Sequence, residues 1–210
     1  ASDQTISSNN GNISLTAITG TITTELISSG TADIIIKAGD DIVDLDENSL
    51  ITANSLILSA GNGIATSTNH LNTTVTNLSA KADTNDSDVV DDNNIFVDNT
   101  TDLTIDTITV DINRVDNTAT IETDATGITQ EDITTNDNGN VVIKATSITL
   151  EGGSDAIALS SSGSGNVRLE ATSTDVTLND SLNAGSGNIT LLAANNITQI
   201  ATGDIVTTTG

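Results

Sequence analysis

Leu58-Ser59-Ala60-Gly61-Asn62-Gly63-Ile64 decides the fold of this chain, because it recurs as Ile36-Lys37-Ala38-Gly39-Asp40-Asp41-Ile42 and as Leu191-Leu192-Ala193-Ala194-Asn195-Asn196-Ile197. Each copy places Ala two residues after an apolar residue, Gly or Ala next, and Ile three beyond that. Looser copies share the approach to the alanine: Gly11-Asn12-Ile13-Ser14-Leu15-Thr16-Ala17, Gly139-Asn140-Val141-Val142-Ile143-Lys144-Ala145, Gly165-Asn166-Val167-Arg168-Leu169-Glu170-Ala171 and Gly187-Asn188-Ile189-Thr190-Leu191-Leu192-Ala193. The alanines Ala17, Ala38, Ala60 and Ala80 are 21, 22 and 20 residues apart. A fixed period of this length marks a solenoid.

Within the copies apolar residues alternate, the period-2 mark of a half-buried strand. The expected inward set is Ile13, Leu15, Ile34, Ile36, Leu56, Leu58, Val141, Ile143, Val167, Leu169, Ile189 and Leu191. Thr, Ile and Val dominate, and their branched side chains suit a pleated surface. Gly, Asn, Asp and Ser supply the corners without any proline. Three short strands and three corners per repeat give an all-β parallel β-helix, or β-solenoid, with about 21 residues per coil and one domain spanning 1–210. Roughly ten coils at about 4.8 Å would make a rod on the order of 45 Å long. An antiparallel sandwich or barrel is the rival, and the single Phe counts against it, since antiparallel sheets usually carry aromatic cross-strand pairs.

The middle breaks the pattern. Residues 81–94 are polar and acidic and read as a loop inserted into the rod. After them Leu103, Ile105, Ile108, Val110 and Ile112 alternate, with a phase slip at Asp106-Thr107 that predicts a corner or bulge.

Composition narrows the partners. The 210 residues carry 29 Asp and Glu against 5 Lys and Arg, a formal charge of −24. Phosphate binding needs clustered cations, and Lys37, Lys81, Arg114, Lys144 and Arg168 are scattered along the chain, so no nucleic-acid partner is expected. No apolar run approaches the roughly 20 residues of a membrane-spanning helix, and no membrane insertion is expected. The 55 Ile, Leu, Val and Phe argue against disorder. With no Cys there is no disulfide framework, and with no Met the chain reads as a mature product or an excerpt.

The Gly-Asn-Ile/Val-x-Leu/Ile-x-Ala copies, together with Gly127-Ile128-Thr129-Gln130 echoed by Asn196-Ile197-Thr198-Gln199, resemble the repeats of filamentous-haemagglutinin-type exoproteins, which are giant bacterial surface adhesins. The resemblance covers residues 11–80 and 127–210. It implies a right-handed parallel β-helix, export to the bacterial cell surface, and an adhesive or scaffolding role in an extracellular fibre. The implied partners are copies of the chain end to end, further repeats of the same chain, and receptors or glycans on other cells. The closing segment stops partway through a repeat of which Gly11–Ala17 would be the continuation, which fits end-to-end stacking.

Chemistry is sparse. His70 is the only histidine, in the polar turn Thr68-Asn69-His70-Leu71-Asn72, and reads as a solvated surface residue. A catalytic role would require a nucleophile and an orienting acid, and no nucleophile elbow, phosphate loop or His-based metal motif appears. The expectation is a non-catalytic protein requiring no cofactor. Calcium is the ion to expect if one binds, because hard oxygen ligands from flexible acidic loops suit it. Its candidate ligands are Asp83, Asn85, Asp86, Asp88, Asp91 and Asp92, with Asp40, Asp41, Asp44 and Asp46 as a weaker set and Gly152-Gly153-Ser154-Asp155 as a fragment of a calcium-binding repeat. The pairs Thr21/Thr23, Thr118/Thr120 and Thr207/Thr209 raise ice binding, but they are out of register with the repeat.

Overall fold

The computed structural model describes residues 4–82, 93–123 and 127–208, and every regular element among them is a strand. The first half holds β1 (Thr5–Ser7), β2 (Ile13–Ala17), β3 (Ile22–Thr24), β4 (Leu26–Ser28), β5 (Ile34–Ala38), β6 (Ile42–Asp44), β7 (Leu50–Thr52), β8 (Ser55–Ala60), β9 (Leu71–Thr74) and β10 (Asn77–Lys81). The middle holds β11 (Ile95–Asn99), β12 (Leu103–Ile105), β13 (Ile108–Val110), β14 (Asn113–Val115), β15 (Ile121–Thr123), β16 (Ile128–Gln130) and β17 (Ile133–Thr135). The rest is β18 (Val141–Ala145), β19 (Ile148–Leu150), β20 (Ile157–Ser161), β21 (Val167–Ala171), β22 (Val176–Leu178), β23 (Ser181–Asn183), β24 (Ile189–Ala193), β25 (Ile197–Gln199) and β26 (Ile205–Val206).

These strands wind into a parallel β-solenoid of about 8 turns with roughly 23 residues per turn. The sheet β1-β4-β7-β9-β11-β18-β21-β24 contributes one rung per turn. The 21-residue period is the short end of the range. Corner contacts join residues 21 apart at Asn12 and Asp33, 22 apart at Asp33 and Ser55, and 26 apart at Asn140 and Asn166. Longer corners and an insertion therefore leave about eight coils where ten were expected.

Identical slots stack to build the core. Leu15, Ile36, Leu58, Ala80, Ile133, Leu159 and Leu182 form one column. Ile13, Ile34, Leu56, Leu78, Ile105, Leu150 and Leu178 form another. Of the residues expected inside, Leu15, Ile189 and Leu191 are only partly buried, because they lie in the end coils with neighbours on one side. The register also corrects the repeat: Ala80 pairs with Leu58, so Ala82, two residues on and buried in the core, occupies the alanine slot.

Glycine has a steric task in the Gly-Asn-Ile/Val copies. A Cβ at Gly165 would overlap the Gly139 carbonyl, and one at Gly187 the Gly165 carbonyl, so only glycine lets these corners stack. The following asparagines form a ladder. Asn140 bonds back to Asn94, Asn166 to Asn140 and Asn188 to Asn166, each rung using a backbone N–H and a side-chain amide on the same Oδ1.

The solenoid changes its cross-section midway. In the first coils a wide face (β2, β5, β8, β10) is followed by two narrow ones (β3, β6; β4, β7, β9). Then β10 forks: Asn77-Leu78 continues into β12, β19, β22 and β25, while Ala80-Lys81 continues into β17, β20, β23 and β26. Conversely, β11 pairs with β9 through Val97 and Leu71 and is bridged to the other narrow column through Ile95 and Ile64. The wide strands β11, β18, β21 and β24 thus grow where two narrow faces stood. The early and late Gly-Asn-Ile copies lie on different sheets and do not share one continuous column.

Between the two branches of the fork the chain leaves the rod. The chain turns at Asp106-Thr107, between β12 and β13, where the phase slip predicts a corner or bulge, and beyond it β13 pairs antiparallel with β16 and β14 with β15 to make a hairpin. Its Ile108, Val110 and Ile112, with Ile128 against them, cover Ile35 and Ile57, which point away from the main core yet are fully buried.

Candidate functional site

The expected calcium ligands Asp83, Asn85, Asp86, Asp88, Asp91 and Asp92 lie outside the described residues. The edges of that segment belong to the solenoid: Lys81 ends β10, Ala82 and Asn93 are buried, and Asn94 begins the asparagine ladder. The weaker acidic set makes structural bonds. Asp40 accepts from the Asn62 amide and the Thr21 hydroxyl, and Asp41 accepts the Gly63 N–H. Asp44, buried, takes the N–H groups of Asn72 and Asp46, while Asp46 takes that of Asn48. At 152–155 the backbone donates instead, Gly152 N–H to Asp180 and Ser154 N–H to Glu131. Among the described residues no three acidic or imidazole side chains are grouped to hold a metal ion.

Side chains of differing chemistry gather on the outer face of β9, β11, β18, β21 and β24. Strand pairing aligns Asn72, Asp98, Lys144 and Glu170 in one column, and Phe96, Val142, Arg168 and Thr190 in the next. His70 Nδ1 lies 2.9 Å from Asp98 Oδ1, and Lys144 Nζ lies 3.8 Å from the other carboxylate oxygen. The His70 ring stacks on Phe96 at 5.2 Å between centroids. Arg168 donates to Glu170 at 2.7 Å. His70 is therefore half-buried in a network, not the solvated turn residue its sequence setting suggests.

Two shallow clefts flank Asp98. One, of about 280 Å³, runs along His70, Ser67, Asn69 and Glu47; the other, of about 270 Å³, along Lys144, Asn99 and Thr146. Asp98 supplies the orienting acid that a histidine base needs, but among the described residues no hydroxyl is hydrogen-bonded to the His70 ring. The arrangement can present an aromatic edge, a cation and amide groups to a polar ligand.

Threonines do align, though not those of the Thr-x-Thr pairs. Thr104, Thr149, Thr177 and Thr198 form a single outward file along β12, β19, β22 and β25.

Two carboxyls on the hairpin depart from ordinary behaviour. At its tip, hydrogen bonds from the Thr118 hydroxyl and the Thr120 and Thr118 N–H groups hold Asp116 below the usual carboxylate range. At its return, burial pushes Asp132 from 3.8 up to about 6, with the charges of Asp155 and Glu131 adding to the rise. The Gly153 N–H and the Lys81 charge oppose it. Oδ1 of Asp132 is buried and has no hydrogen-bond partner among the described residues.

Comparison with family models, curated proteins and solved structures finds no match to the chain.

Proposed function

We propose that this chain is a structural and adhesive segment of an extracellular bacterial fibre, without a catalytic centre, working through length, stiffness and a repeating polar surface. The observation that carries the reading is the self-propagating stack: each coil satisfies its backbone through the next, and the asparagine ladder repeats the same rung. The first and last described coils support continuation of the rod. Both run from a five-residue strand (β2, β24) to a three-residue one (β3, β25), with a short third strand after it (β4, β26). Gly11-Asn12-Ile13 matches Gly187-Asn188-Ile189 rung for rung. The last coil also exposes Ile197, Ile200 and Ile205, an apolar surface suited to burial under another coil. Copies stacked end to end make a heterologous contact, which propagates instead of closing.

Electron microscopy and sedimentation of the purified chain test this. At a formal charge of −24 the copies repel one another at low salt, so rods should lengthen with protein concentration and with added salt. The double variant Ile197→Lys/Ile205→Lys should stay as single short rods. Wild-type particles of one size at every concentration would refute stacking of copies. Adhesion is tested separately with beads coated in the chain, and retention on cells no better than that of bare beads refutes it.

A second reading, a calcium-dependent glycan-binding module, draws on the Phe96–His70 stack beside Asp98 and Lys144. Binding to arrayed glycans that needs calcium and is lost in Phe96→Ala would support this reading over a passive rod.

A further inference from the structure

The hairpin β13–β16 lies against the rod as a strap with few attachments. Four apolar residues rest on or against Ile35 and Ile57, Gln130 Nε2 donates to the Leu58 carbonyl at 2.8 Å, and Asn12 Nδ2 donates to the Asp111 carbonyl at 2.7 Å. The return to the solenoid is concentrated at one residue. Asp132 adopts a left-handed backbone with φ 66°, and its carbonyl accepts both the Ala80 N–H, at 3.0 Å, and the Ser79 hydroxyl, at 2.9 Å. The residue is 7% exposed, its carboxyl receives the Gly153 N–H, and among the described residues Oδ1 has no partner.

The charged groups around it are Glu131 on its own segment, Asp155 from the turn before β20, and Lys81 at the end of β10. Two negative charges therefore face one positive one across a buried carboxyl. A charged oxygen without a donor is far more costly to bury than a neutral acid. We propose that the hairpin is a pH-operated strap latched by Asp132: with the carboxyl neutral it stays closed over Ile35 and Ile57, and ionisation of the carboxyl releases it.

The sign follows from linkage. The closed strap holds a proton that the open strap, with an ordinary carboxyl, has already lost between about pH 4 and 6, so closure is favoured at acid pH and weakens as pH rises through that window. If opening restores the value of 3.8, the opening equilibrium rises about 25-fold between pH 4.5 and 7.5. This inference is independent of the fibre reading and survives its failure.

Hydrogen exchange on the full chain measures the opening. Protection factors, corrected for intrinsic rates, are compared at residues 108–112 and 128–130, with β18 and β21 as internal reference. Wild-type strap protection should fall about 25-fold from pH 4.5 to 7.5, steadily up to about pH 6 and levelling off above it, while the reference strands hold steady. Asp132→Asn, which keeps an acceptor for Gly153 and tolerates the left-handed backbone, should show the closed, acid-pH protection throughout. Strap protection that tracks the reference, a fall that does not level off above about pH 6, or a pH response retained in Asp132→Asn would each overturn the latch. The wild-type profile decides the matter even if the variant folds poorly.

Discussion

Leu58 is the third of seven residues in the first core column, fully buried between Ile36 on one side and Ala80 on the other. Leu58→Ala removes three carbons, worth about 2.4 kcal/mol in transfer at about 0.8 kcal/mol each. A cavity cost adds to this because Ala80 is too short to fill the space and the backbone ladders on both sides hold the rungs apart. The total is about 4 kcal/mol, in the upper part of the range for buried Leu→Ala changes. Leu15 fills the same slot in an end coil and is only partly buried, so Leu15→Ala should cost about 1–2 kcal/mol. Equilibrium denaturation in urea, followed by circular dichroism, compares the pair. Equal losses at the two sites, or a Leu58→Ala loss under about 1.5 kcal/mol, would refute the column as the source of stability.

Other substitutions probe separate features. Asn99 is buried and takes the Thr73 hydroxyl and the Val75 N–H on Oδ1 while donating to the Val75 and Thr101 carbonyls, so Asn99→Ala should destabilise the chain by about 3 kcal/mol in the same assay. Gly165→Ala pushes against the Gly139 carbonyl and should lower the melting temperature more than Gly20→Ala, where no atom of the described residues lies in the way. Asp132 has a raised carboxyl, so the stability it contributes is present below about pH 4 and lost as pH rises through about 6. Asp132→Asn should therefore be more stable than wild type at pH 7.5 by about 1–3 kcal/mol, with the advantage gone near pH 4. Thermal melts across pH check this.

The solenoid was legible in the sequence because its cause is local: each coil repeats the alternation, and the glycine and asparagine of the corners sit at fixed distances from it. What escaped that reading is non-local. Asp98 meets His70 across one coil and Lys144 across the next, the one interrupted by the hairpin, so residues that look scattered become neighbours. The misplaced Ala80 has a similar cause, since a single slot shift leaves alternation intact and only the partner strand reveals it. The strap did leave a sign. Ile34-Ile35-Ile36 and Leu56-Ile57-Leu58 are apolar without alternation, the pattern of a strand buried on both faces, and something outside the rod had to cover Ile35 and Ile57.

The continuous rod on which the fibre reading rests is tested most directly by disulfide trapping at the fork of β10, in a chain that has no native cysteine. Asn77 pairs with Thr104 and Lys81 with Thr134, so Asn77→Cys/Thr104→Cys and Lys81→Cys/Thr134→Cys place thiols on adjacent parallel strands, within the Cα spacing a disulfide bridges. Both pairs should oxidise readily in the folded monomer, and the crossed pairing Asn77→Cys/Thr134→Cys should not. Oxidation of the crossed pair, or of only one of the two parallel pairs, would contradict a solenoid that forks and continues.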